Sequence, residues 1–129
     1  LNVAQSIILQ CSKWLSEEDT MVKFDKETLT MSMIAKDTGD FVLALDNYLL
    51  DEGDTVKFTV NTETQLETPL FQKVITTFSN HKALIHISET DSNLEPGTYW
   101  YDIQLNLADG RVDTVVGPAK FKIRGGVTY

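Results

Sequence analysis

Cysteine, histidine, proline and positive charge are all scarce in this chain of 129 residues. The single cysteine, Cys11, excludes an intrachain disulfide framework. That fits a chain made in a reducing compartment. Only 11 Lys and Arg stand against 19 Asp and Glu, a net charge of −8. Such a balance argues against nonspecific nucleic-acid binding, which needs many cations to displace counterions. It argues equally against a polybasic membrane anchor. No apolar run approaches the length needed to cross a bilayer. The opening LNVAQSIILQCSKWLSEEDT lacks the basic leader and small-residue cleavage site of a signal peptide, so no export signal is expected.

Chemistry-bearing motifs are also missing. There is no phosphate loop, nucleophile elbow or zinc knuckle. His81 and His86 are the only histidines. A metal site on them would need a third ligand such as Glu89 or Asp91, and solvated surface histidines are the simpler expectation. Cys11 sits in an apolar stripe with no histidine nearby in sequence, which suits an inert thiol. The acidic clusters at 51–54 (DEGD) and 89–91 (ETD) lack the spaced oxygen pattern of a calcium loop and read as solvated turns. The expectation is no catalytic residue, no cofactor and no metal.

What is present is a strand pattern. In residues 95–111 (EPGTYWYDIQLNLADGR), Tyr99, Tyr101, Ile103, Leu105 and Leu107 alternate with Asp102, Gln104 and Asn106. Period two between a Pro-Gly and an Asp-Gly turn signal predicts a half-buried strand entering a hairpin. Similar alternation places Leu29, Met31 and Met33 on one face, then Phe41, Leu43 and Leu45, then Val56, Phe58 and Val60. Residues 70–78 and 82–88 read as a hairpin across 79–81 (SNH). Residues 112–116 and 119–123 read as two strands broken at Gly117-Pro118. About seven to eight short strands with turn signals every 8–12 residues predict an all-β antiparallel sandwich. A chain of this length buries roughly two-thirds of its unfolded surface, so such a core needs no staple.

Residues 1–20 differ. Val3, Ile7, Ile8, Cys11, Trp14 and Leu15 recur at helical spacing with no Gly or Pro between them. They predict either an amphipathic helix or an arm that orders on a partner. The expected organisation is this arm (1–20), a sandwich (21–124) and a tail (125–129). Trp100 falls on the opposite side from Tyr99 and Tyr101. It either packs beneath a loop or the N-terminal helix, or anchors an interface, where Trp is enriched. The candidate interface residues are Ile7, Ile8, Trp14, Leu15 and Trp100.

Four segments in order carry a resemblance: 53–60 (GDTVKFTV), 71–76 (FQKVIT), 94–104 (LEPGTYWYDIQ) and 118–123 (PAKFKI). Together they resemble the immunoglobulin-like N-terminal domain of upper baseplate proteins in phages and prophages of Gram-positive bacteria. The resemblance covers roughly the last three-fifths of the chain, and residues 1–35 do not align with it. It implies an immunoglobulin-like sandwich and a structural role in a phage tail or baseplate. It also implies other virion proteins as partners, homo-oligomerisation as one form of assembly, and location in the virion after assembly in the host bacterial cytoplasm. The alternative expectation is a carbohydrate or cell-surface ligand module using the aromatic surface around Trp100. A small enzyme would require His81, His86 and an acid to converge.

Overall fold

The computed structural model describes residues 7–11, 23–25, 27–45, 48–62 and 68–126. Among them are nine strands and no helix. They are β1 (Ile7–Cys11), β2 (Lys23–Phe24), β3 (Met31–Ile34), β4 (Gly39–Leu45), β5 (Thr55–Asn61), β6 (Phe71–Ile75), β7 (Ala83–Ile87), β8 (Gly97–Asn106) and β9 (Val112–Arg124). They form two sheets, of order β1-β4-β7 and β2-β3-β9-β8-β5-β6. The chain is therefore an all-β sandwich.

The alternation read from sequence decides which side of each strand is dry. Phe41, Leu43, Ala83, Ile85 and Ile87 come inward from the smaller sheet. Met31, Met33, Val56, Phe58, Val60, Tyr101, Ile103, Leu105, Phe121 and Ile123 come inward from the larger. Phe58 is the centre of this core. Its ring lies 5.1 Å from that of Phe41, 5.6 Å from Tyr101, 6.0 Å from Phe71 and 6.3 Å from Phe121, in edge-on or tilted geometry. Such arrangements place ring edges against ring faces, which adds to the gain from burial.

Four expectations are corrected. Ile7 and Ile8 do not lie in a helix. They belong to β1, which pairs antiparallel with β4 in the register Ile7↔Leu45 and Ile8↔Ala44. The run 7–9 (IIL) is mostly β-branched, which suits a strand, and pairing with β4 supplies what spacing alone did not show. Trp14 and Leu15 lie outside the described residues, as does most of the predicted arm. Next, the sandwich is not wholly antiparallel, because β3 runs parallel to β9 with Met31 opposite Phe121. Parallel neighbours need a long connection, and here nearly the whole domain lies between them. Further, β6 and β7 are not a hairpin. β6 pairs with β5 and β7 with β4, so the chain changes sheet at the Asn80-His81 turn. Finally, Gly117-Pro118 does not end a strand. β9 continues through it with a shifted register opposite Tyr101 to Gln104, as a bulge allows, and the Gly117-Pro118 peptide is cis.

Two polar links lie at the margins of the sandwich, one long-range and one local. Lys73 Nζ lies 2.5 Å from Asp91 Oδ2, joining β6 to the β7–β8 connection. Burial raises the Asp91 carboxyl, but hydrogen bonds from Lys73 and Ser88 outweigh it and hold the group below its ordinary value. At the start of β8, the Tyr99 hydroxyl donates to the Glu95 carbonyl at 2.6 Å. A tyrosine bonded to backbone a few residues upstream is the corner found in immunoglobulin-type sandwiches. Tyr99→Phe removes this bond without altering the ring. It is expected to cost about 1 kcal/mol in urea unfolding, with no change in slope.

Candidate binding groove around Trp100

The inward setting of Tyr101 turns its neighbour Trp100 onto the outer face of the six-stranded sheet. There Trp100 sits opposite Asn61 on β5 and Lys120 on β9. It is half-buried and forms one wall of an open groove of about 660 Å³. The groove is lined by Phe24, Asp25, Thr28, Thr30, Ser32, Trp100, Pro118, Ala119, Lys120 and Lys122.

Each wall follows from local structure. Lys120 and Lys122 point outward because Ala119, Phe121 and Ile123 point inward. Ser32 points outward because it stands between buried Met31 and Met33. The far wall is the connection between β2 and β3, where Asp25, Thr28 and Thr30 line the groove. Its ends are tied by Leu29 N–H to the Asp25 carbonyl at 2.8 Å and Asp25 N–H to the Thr30 carbonyl at 2.9 Å. Asp25 Oδ1 accepts from Glu27 N–H at 2.9 Å, and the Thr28 hydroxyl donates to Thr30 Oγ1 at 2.8 Å. The Tyr101 hydroxyl donates to the Leu29 carbonyl, so a core residue anchors this rim from beneath. Burial pushes the Tyr101 phenol well above its ordinary range, so it stays a donor at any working pH.

The groove offers an aromatic wall, two ammonium groups and three hydroxyls. Among the described residues lining it there is no histidine or cysteine. His81 and His86 lie elsewhere and apart in role. His81 Nδ1–H donates to the Leu50 carbonyl at 3.0 Å, and His86 Nδ1–H donates to Asp40 Oδ1 at 2.6 Å on an exposed strand pair. Asp91 is held by Lys73 and the Ser88 backbone rather than by either histidine. Among the described residues no cluster of three or more metal-ligating side chains occurs.

Sequence reasoning placed Trp100 outward but missed the rest of the groove. Lys120, Lys122 and Ser32 could be read as outward from alternation. Their meeting beside Trp100 depends on β9 lying between β8 and β3. The strand carrying Ile7 and Ile8, the other described interface candidates, lies in the opposite sheet.

Asp102 continues the Trp100 face along β8, opposite Thr59. Burial raises its carboxyl above the ordinary value. A raised carboxyl holds its proton more tightly in the folded state than in the unfolded one. Ionised Asp102 therefore costs stability at neutral pH, and that cost fades as pH falls toward the unfolded value. Asp102→Asn is expected to raise the melting temperature at pH 7 and to leave it unchanged near pH 3. An equal gain at both values would contradict the electrostatic cause.

No protein-family model matches the chain, and comparison with curated proteins finds no significant match.

Proposed function

We propose that this chain is a non-catalytic docking module, a tail or baseplate component of a phage or prophage that acts through protein–protein contacts. The observation that carries the docking reading is the groove. A half-buried Trp beside Phe24 and Pro118 in an open groove on the sheet face is the kind of aromatic anchor on which interfaces are built. The virion assignment rests on the four ordered sequence segments. The strand order and the Tyr99 corner support the immunoglobulin-like form of the sandwich. In this reading the module uses no cofactor, nucleic acid or membrane, and it resides in the virion after assembly in the host cytoplasm.

The test is co-expression of the full chain with the products of neighbouring genes. A complex of defined stoichiometry is expected, and Trp100→Ala is expected to weaken it about tenfold or more. A monomer that engages none of them would overturn the assembly reading. A second reading, a carbohydrate module, draws on Thr28, Thr30 and Ser32 beside Trp100, since hydroxyls next to an aromatic wall suit a sugar. It predicts oligosaccharide binding that Trp100→Ala abolishes.

A further inference from the structure

Three cations alternate along the outer side of β9: Lys120, Lys122 and Arg124. They stand on one face because Phe121 and Ile123 are buried between them. Residues two apart on a strand are separated by about 6.8 Å, so the three charges form a ladder of that repeat. Any extended chain presents alternate side chains at the same repeat.

The ladder is electrostatically open. Among the described residues, none of the three lies within ion-pair distance of a carboxylate, as is also true of Lys57 and Lys82, but only these three stand in a row on one strand face. This occurs on a chain of net charge −8, where acids outnumber bases and partners for surface lysines are plentiful. Trp100 flanks the ladder on the β8 side, directly opposite Lys120, and Ser32 flanks it on the β3 side, directly opposite Lys122. The result is a trough with a basic floor, an aromatic wall and a hydroxyl wall.

We propose that the trough takes an acidic, extended polypeptide segment of a partner protein. Its carboxylates, two residues apart, would meet Lys120, Lys122 and Arg124, while the aliphatic stem of the residue facing Lys120 lies against Trp100. This inference rests on the docking reading and specifies the chemistry of the partner. Charge density decides against a nucleic acid as occupant. Its closely spaced phosphates would meet the Asp25 carboxylate at the rim and the repulsion of a net acidic domain. A segment with a few carboxylates meets the ladder with far less repulsion.

The test titrates the full ¹⁵N-labelled chain with a synthetic peptide of about ten residues, alternating Glu and Thr, at low and high salt. The matched Gln/Thr peptide and a neutral oligosaccharide serve as comparators. The Glu peptide is expected to shift the Trp100 indole and the amides of residues 120–124. It should bind about tenfold or more tighter than the Gln peptide, and weaken as salt rises. Lys120→Gln with Lys122→Gln should erase that preference while the remaining spectrum stays unchanged. Equal binding of the two peptides, no binding of either, or shifts centred elsewhere would overturn the inference. If the acidic peptide fails while Trp100→Ala still weakens the complex with a neighbouring gene product, the acidic segment is rejected and the docking reading stands. If the oligosaccharide alone binds at Trp100, both give way to the sugar reading.

Discussion

Asp54→Ala is expected to lose about 3–4 kcal/mol of folding stability, a large share of what a domain this size possesses. Asp54 is only 2% exposed. Its carboxylate accepts the Tyr48 hydroxyl at 3.0 Å on both oxygens, Asp51 N–H at 3.0 Å and Ala108 N–H at 2.9 Å. One side chain thus ties the β4–β5 connection to the β8–β9 hairpin. Truncation leaves two backbone donors and a phenol without their acceptor. An unmade bond of this kind costs more than a made one gains, because the group has already given up water. Burial, then the hydrogen bond to Asp54, raises the Tyr48 phenol, and the same variant should return it toward its ordinary value. Asp54→Asn keeps the shape but turns an amide NH2 donor toward a backbone N–H, so it should recover only part of the loss. Urea unfolding of the three proteins checks the order. A loss below about 1 kcal/mol for Asp54→Ala would mean that water replaces the carboxylate freely.

Gly117→Ala is expected to be the most damaging single-methyl change, about 3 kcal/mol or more. Gly117 has φ of 102°, a region that side chains rarely adopt. A Cβ there would lie 2.6 Å from the Tyr101 carbonyl oxygen and 2.8 Å from Asp102 Cβ. The nearest of these is backbone of β8, so the two strands beneath the groove would have to part. Gly110 supplies the control. Its φ is 96°, yet nothing lies within 4 Å of its Cβ position. Gly110→Ala should therefore show conformational strain alone, about 1–2 kcal/mol. Equal losses at the two positions would show that φ, and not the close approach of β8 and β9, sets the cost. Because the bulge adjoins Pro118 and Trp100, Gly117→Ala should also perturb the groove, whereas Gly110→Ala at the far turn should not.

These two residues show where the sequence was legible and where it was not. Alternation in β4, β5 and β8 predicted the inward set, since period two is local and one face is dry. It placed Trp100 outward by the same logic. The Asp109-Gly110 hairpin was equally plain, because a turn needing positive φ leaves a local mark. Asp54 read as part of a solvated acidic turn, and Asp51 and Glu52 are indeed exposed. Its burial comes from Ala108, 54 residues away, which no local pattern reveals. Gly117-Pro118 read as a strand end because both residues interrupt ladders. A bulge tolerates both, and only the register with β8 distinguishes the two cases. The spacing of Ile7, Ile8 and Cys11 suited a helix, yet strand formation there depends on β4. The groove is the fullest instance. Its three walls come from β8, from β9 and from the turn before β3, assembled by a parallel pairing across most of the chain.

The most direct measurement is hydrogen–deuterium exchange of the full chain, alone and in complex with a neighbouring gene product. The account predicts new protection at residues 98–102, 118–124 and the 25–30 turn, with the edge strands β6 and β7 unchanged. Protection confined to β6 or β7 would contradict it, and would mean that the chain docks by a sheet edge and not through the Trp100 groove.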